Sequence, residues 1–193
     1  MVEAAKHGER NVESPERTLF LPSFYRRTAG EEKLDAVLQA AIASPSGTNS
    51  QPWRVIAVTN RSLIQEIEDE TLRTMGQIPA YQKFYDIVTS TGMRLFFHAP
   101  CMIVLPIDKR DPYAQYDCGI VSQSIAVAAQ SLGLANRIVA ICEVAFLGGK
   151  AAYLKEKLQF PENYEFGLAV LIGHAEKSKS PHVPDPDKII LIA

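Results

Sequence analysis

The chain has 193 residues, 47% of them hydrophobic and 22% charged, and its 20 Lys and Arg against 22 Asp and Glu leave a formal net charge of −2. A domain of about 100–200 residues fits that length, and a chain of this size buries roughly 70% of its unfolded surface, enough for one core. The balance of charge excludes a basic field that would draw in nucleic acid or anionic lipid, and 11 Gly and 12 Pro are too few for a fibrous or low-complexity chain.

The polar opening stretch Met1–Arg17 carries no apolar run of signal-peptide type, and residues 1–15 are expected to be loosely ordered. Leu34, Val37, Leu38, Ala41 and Ile42 recur at helical spacing, which predicts a helix over Glu31–Ala43 ended by Ser44-Pro45-Ser46-Gly47. Arg54–Thr59 reads as a buried strand. Asn60 or Ser62 then offers an N-cap for a helix running to Met75. Tyr81–Phe97 reads as a helix interrupted at Thr89–Gly92, and the continuous apolar run Cys101–Ile107 as a strand.

Tyr116–Leu132 carries the clearest helical period, and Gly133 supplies its stop. Arg137–Cys142 reads as a short strand, Ala151–Leu158 as a short helix, Phe166–Ile172 as a strand and Lys188–Ile192 as a last β-like segment. The alternation predicts a mixed sheet flanked by helices in one α/β or α+β domain spanning residues 1–193. Cys101, Cys118 and Cys142 lie far apart in apolar surroundings, as core thiols do. No apolar run reaches the roughly 20 residues of a membrane span, so a reducing cytoplasm is the expected location and no membrane partner is expected.

The glycines never form G-x-G-x-x-G, Gly148-Gly149-Lys150-Ala151 is not a phosphate loop of the Walker type, and neither G-x-S-x-G nor H-E-x-x-H occurs. The four histidines are scattered, and no metal site is expected. An enzyme with so few self-sufficient groups needs a borrowed cofactor. Ala43-Ser44-Pro45-Ser46-Gly47-Thr48-Asn49-Ser50-Gln51-Pro52-Trp53 concentrates hydroxyls, two carboxamides and the only tryptophan between a helix and a strand. Such a segment can hold a phosphate or the polar edge of a planar heterocycle. The same composition also describes an ordinary helix-to-strand loop.

Residues 43–53 resemble the A-P-S-x-x-N-x-Q-P-W signature of the nitroreductase family of flavoproteins. Ala99-Pro100 before Cys101–Leu105 is similar to that family's A-P-x-x-I-V segment. Asp117-Cys118-Gly119 through Gln123, Ala126–Ala129 and Leu132-Gly133-Leu134 resembles its D-x-G-x-x-x-Q helix ending in G-L, and Val170–Gly173 its strand ending in I-G. The resemblance spans about residues 31–175. It implies an α+β, three-layer α/β/α fold, an intertwined homodimer with FMN at the subunit interface, and residues 176–193 as a C-terminal extension packing on the partner. It further implies hydride transfer from NAD(P)H through flavin to nitroaromatics, quinones or related acceptors by a ping-pong mechanism.

Carried over by position, Pro45, Ser46, Gly47 and Asn49 would line FMN with Gln51 nearby, and backbone of Ile138, Val139, Ala140 and Ile141 would meet the flavin ring. The family's opening R-R-S-x-R-x-F pattern, which holds the phosphate, is matched only loosely. Arg17 with Thr18 lies at about the family's distance from Pro45, while Arg26-Arg27-Thr28 looks more like the motif and sits closer. A phosphate favours a bidentate arginine, and Lys188 stands where a C-terminal basic residue often joins it. The stretch Leu72–Phe97, with Tyr81, Phe84 and Tyr85, is where acceptor specificity is expected to be set. Two other readings fit the same fold: a flavin enzyme with another acceptor, such as a dehalogenase or dehydrogenase, and a non-catalytic flavin-binding protein.

Overall fold

A computed structural model describes residues 24–25, 29–176 and 183–192. Its centre is strand β2, Cys101–Asp108, in which every residue from Cys101 to Ile107 is buried. A strand covered on both faces reads in sequence as an unbroken apolar run, and this one does. It lies between β1, Ile56–Val58, and β4, Tyr164–Gly173, and β4 in turn pairs with β3, Ala135–Val139. The order is β1-β2-β4-β3. All three pairings are antiparallel, so among the described residues the sheet is not the mixed one expected from sequence.

Side chains alternate across this sheet and build a core on each face. Met102, Val104, Ala169 and Leu171 face one layer. That layer holds α2 (Arg61–Met75), α3 (Gln82–Thr91), α5 (Ala151–Lys157) and the 3₁₀ segment Ile141–Phe146. Cys101, Ile103, Leu105, Ile107, Val170 and Ile172 face the other, where α1 (Glu31–Ile42) packs beside α4 (Ala114–Ser131). Helices on both sides of an antiparallel sheet make the expected α+β, three-layer arrangement.

Local chemistry sets the element ends. The Asn60 side chain accepts the Leu63 N–H at 3.1 Å and starts α2, as a capping asparagine should. After α4 the chain turns at Gly133, whose φ of +70° is left-handed backbone that a glycine adopts without strain. The helix predicted through Tyr81–Phe97 stops at Thr91, where Gly92 caps it in the left-handed region.

Three other expectations are corrected. The strand foreseen at Arg54–Thr59 contracts to Ile56–Val58, preceded by an isolated bridge between Trp53 and Ile107. The strand foreseen at Arg137–Cys142 is shifted to Ala135–Val139, and the chain then winds into a 3₁₀ segment that buries Cys142, Val144, Ala145 and Phe146 in succession. Lys188–Ile192 forms no strand. Lys188 closes a 3₁₀ turn, and Ile189–Ile192 continue outward 80–90% exposed, with no described strand of the same chain beside them to supply ladder hydrogen bonds. All three thiols are buried and unpaired. Burial pushes Cys101 up to about 11 and Cys118 to about 12, and raises Cys142 as well.

Candidate functional site

The segment singled out in sequence leaves α1 and stands at the surface above the first turn of α4. Its two ends are fixed. Ser44 is buried and its hydroxyl donates to Ala40 O at 3.3 Å. At the far end Trp53 is buried in the α1–α4 layer, the Asp108 N–H donates to Pro52 O at 2.8 Å, and the Arg54 N–H donates to Pro106 O at 2.9 Å. The tryptophan is therefore an anchor of the loop.

Between these ends the backbone is forced. Thr48, Asn49 and Gln51 have φ of +50°, +58° and +47°. Non-glycine residues in that region cost of order 1–3 kcal/mol each and persist only where their surroundings determine them. Short bonds supply part of that determination: Asn49 N–H to Ser46 O at 3.1 Å, Ser50 N–H to Gly47 O at 3.0 Å, and Gln51 N–H to Ser46 Oγ at 3.0 Å. Gln51 Nε2 donates to Asn49 Oδ1 at 2.9 Å. Asp117 of α4 supplies the rest, its two carboxylate oxygens accepting the Gly47 N–H at 3.1 and 3.2 Å.

These bonds decide what the loop can offer a ligand. Asn49 spends its Oδ1 and Gln51 its Nε2 on each other, and no hydrogen bond among the described residues uses Asn49 Nδ2 or Gln51 Oε1. The exposed loop thus presents a carboxamide donor and a carboxamide acceptor two residues apart, with the Ser46 hydroxyl as a further donor. A flavin's pyrimidine edge alternates carbonyl acceptors with an N–H donor, so this set fits that group. Gly47 is exposed and turns its N–H inward to Asp117.

The remaining expected contacts lie elsewhere on the chain. Ile138 is 40% exposed and Ala140 is exposed, while Val139 between them is buried on β3. β3 pairs only with β4 among the described strands, so this stretch sits on a sheet edge. Lys188 is exposed at the end of its 3₁₀ turn, with no hydrogen bond or ion pair to residues 45–51 among the described residues. Arg17, Thr18, Arg26, Arg27 and Thr28 lie outside the described residues. Tyr81, Phe84 and Tyr85 pack against the core in the layer opposite the α1–α4 pair.

Sequence reasoning missed two features at the loop. One is Asp117, whose signal was a lone carboxylate in an α4 turn otherwise placed among buried Ala114, Cys118 and Val121. The other is the pair Tyr113 and Tyr116, 61% and 74% exposed at the start of α4. Tyr113 adjoins the loop closely enough that a Cβ added to Gly47 would sit 3.9 Å from its Cβ. Cavities of about 480, 620 and 200 Å³ lie beside α2, along β1 and at the start of α1, and none of these three is lined by residues 45–51. No described helix is long and apolar enough to cross a membrane.

Comparison with known proteins agrees with the overall fold. The sequence profile of the nitroreductase family matches residues 30–174. A crystal structure of a nitroreductase with bound FMN from Desulfitobacterium hafniense is 45% identical, covers 89% of this chain and 92% of that one, and superposes with a TM-score of 0.83. A second FMN-bound nitroreductase, from Bacteroides fragilis, is 19% identical, covers 89% of this chain and 92% of its own, and shares the fold at a TM-score of 0.78. A Methanothermobacter thermautotrophicus protein, named provisionally as an NADH dehydrogenase/NAD(P)H nitroreductase, is 26% identical over 170 residues, 86% of this chain and 78% of the relative.

Proposed function

The chain belongs to the nitroreductase family, and on that premise we propose that it is an FMN-dependent oxidoreductase carrying reducing equivalents from NAD(P)H to nitroaromatic, quinone or related acceptors in alternating half-reactions. The observation that carries this reading is the Pro45–Gln51 loop, with its donor and acceptor carboxamides, in a chain 45% identical to an FMN-bound nitroreductase. Bound FMN supplies the two-electron chemistry that the side chains lack.

Within this reading Asn49 and Gln51 hold the polar edge of the isoalloxazine, and Pro45 and Ser46 flank it. Ile138, Val139 and Ala140 bring backbone from a sheet edge toward the ring. Arg17 with Thr18, or Arg26-Arg27-Thr28, joins Lys188 in meeting the phosphate, whose charge calls for cations.

The reading also includes a homodimer. Ile120 and Val127 of α4, with Ile138, leave apolar surface exposed, and Ile189–Ile192 form a run that nothing in the described chain covers. A groove of about 620 Å³ follows the unpaired side of β1. An extended tail from a second chain can add to such an edge by main-chain hydrogen bonds. A site shared by two chains also accounts for a ligand loop that stands exposed in one. Buried, reduced thiols suit a cytoplasmic protein.

The test is an absorbance spectrum of the purified protein after FMN addition, followed by anaerobic titration with NADH and NADPH. Flavin absorbance that bleaches with a stoichiometric nicotinamide is the expected result. A colourless protein after FMN addition overturns the flavin reading, and retained colour without bleaching overturns the nicotinamide part. Sedimentation of the full chain beside one truncated after residue 182 tests the dimer, which the truncation should weaken.

A further inference from the structure

We propose that Asp117 is a positioning residue for the flavin loop: from inside the protein it holds Gly47, and through Gly47 the left-handed backbone that presents Asn49 and Gln51. The inference rests on the flavin reading above and adds to it a residue that need not touch the ligand.

Asp117 is 4% exposed, and no ion pair among the described residues accompanies it. A carboxylate buried without a cation is costly, and its neighbours Ala114, Cys118 and Val121 show that apolar side chains pack here readily. Two features offset the cost. Asp117 lies in the first turn of α4, where unpaired N-terminal amides favour negative charge. Both of its oxygens also take the Gly47 N–H, in a contact between residues 70 apart in sequence.

That contact is the only hydrogen bond among the described residues tying residues 46–51 to another element, because every other bond within the stretch is local. Ser44 and Trp53 fix the ends, and Asp117 fixes the middle. Without it, Thr48, Asn49 and Gln51 lose the outside constraint that keeps them in the left-handed region, and the chain can relax toward ordinary φ. Asn49 Nδ2 and Gln51 Oε1 are then no longer carried on a backbone of fixed shape. The cost falls on binding, since the ligand must order the loop itself.

The test compares Asp117→Ala and Asp117→Asn with the natural chain by FMN titration, by hydrogen exchange of the apoprotein and by the midpoint potential of the bound flavin. Loss of a hydrogen bond to a charged acceptor predicts an FMN dissociation constant raised about 10- to 100-fold in the alanine variant. Amides of residues 46–51 should exchange faster while residues 121–131 of α4 keep their protection. Asparagine keeps one acceptor oxygen, so it should recover part of the affinity and shift the potential less than alanine does. A role confined to stability would lower the melting temperature and leave FMN affinity, potential and loop exchange of the folded protein unchanged; that result overturns the proposal. If the alanine variant does not fold, the asparagine variant decides by the same three readouts. A natural chain that binds no FMN overturns the flavin reading and this proposal with it, whereas a natural chain that binds FMN no better than either variant overturns the anchor alone.

Discussion

Glu68 of α2 accepts the backbone N–H of Phe96 at 2.9 Å with one carboxylate oxygen, while its other oxygen takes Arg94 Nη2 at 2.6 Å and Nε at 3.1 Å. The carboxyl is buried, and the bonds cross from a helix to the turn that leads into β2. That turn needs the support, because Phe97 and His98 both adopt positive φ. Removing Glu68 strands a buried amide and half of an ion pair, so Glu68→Ala should cost about 3 kcal/mol. For a chain of this size the melting temperature should then fall by about 6–12 °C in thermal denaturation at neutral pH. Glu68→Gln, which can still accept from Phe96, should fall less. Equal melting temperatures for all three proteins would remove the network from the account.

A second prediction concerns where α4 can sit. A Cβ added to Gly167 of β4 would lie 2.8 Å from Cys118 Sγ, 2.8 Å from Leu105 O and 2.9 Å from Ile107 Cγ2. Leu105 O is sheet backbone that yields little, so the strain is shared between the β2–β4 pairing and, through Cys118, α4. Gly167→Ala should destabilise by about 1–3 kcal/mol, as overpacking of a core does. Because Cys118 adjoins Asp117, the displaced helix should also loosen the Asp117–Gly47 contact. Gly47→Ala is the contrast. Its Cβ meets only Asp117 Oδ2 and Tyr113 Cβ, each at the ordinary separation of 3.9 Å, so stability should stay within about 0.5 kcal/mol. Denaturant midpoints for the two variants decide the matter.

Much of this was legible in the residues. Periodicity located α1 and α4, a capping residue opened α2, and the continuous apolar run located β2. Residues 43–53 stood out by their hydroxyls and amides, with the family resemblance turning them from an ordinary loop into a candidate site. What escaped depended on distant partners. The 3₁₀ course of Ile141–Phe146 comes from packing four apolar residues into a core, and a run such as Arg137–Cys142 reads equally well as a strand. Lys188–Ile192 has strand composition, but a strand exists only beside another, and no described part of its own chain lies there. Asp117 was seen only as a letter in a helix motif. Its grip on Gly47 joins residues 70 apart, which no local pattern reports.

The pH dependence of stability should carry a mark of Asp108. The Arg110 guanidinium donates to both of its oxygens, with Nη2 at 2.6 Å from Oδ2, and the Arg110 backbone N–H donates to Oδ1 at 3.0 Å. Those bonds hold the Asp108 carboxyl at about 2, below the ordinary aspartate value near 3.9. A folded-state value lower than the unfolded one contributes stability above about pH 4 and loses it as pH falls toward about 2. Asp108→Asn should therefore be less stable than the natural chain at neutral pH, with the gap closing between about pH 4 and 2. Arg110 is largely exposed, so the gap should be small and should narrow in salt. Urea titrations across that range check it. A gap that widens in acid would reverse the assignment.

The last prediction separates what Asn49 does for its own loop from what it offers a ligand. Asn49 sits at φ +58°, a region asparagine tolerates better than most residues, and its Oδ1 accepts from Gln51 Nε2. Asn49→Ala loses tolerance, acceptor and donor together, and FMN affinity should fall about 5- to 150-fold, the range for a polar ligand edge left unpaired. Two further variants divide that loss. Asn49→Asp keeps the acceptor for Gln51 and a tolerance for left-handed backbone but has no donor. Asn49→Gly relieves all backbone strain and has neither donor nor acceptor. If Nδ2 donates to the flavin edge, the aspartate variant should bind about as poorly as alanine, its negative charge adding to the loss beside carbonyl oxygens. If the loop's shape alone matters, aspartate should bind like the natural chain. Fluorescence titration with FMN ranks the variants, and aspartate binding as tightly as asparagine would remove Nδ2 from the cofactor's contacts while leaving its partner oxygen in place.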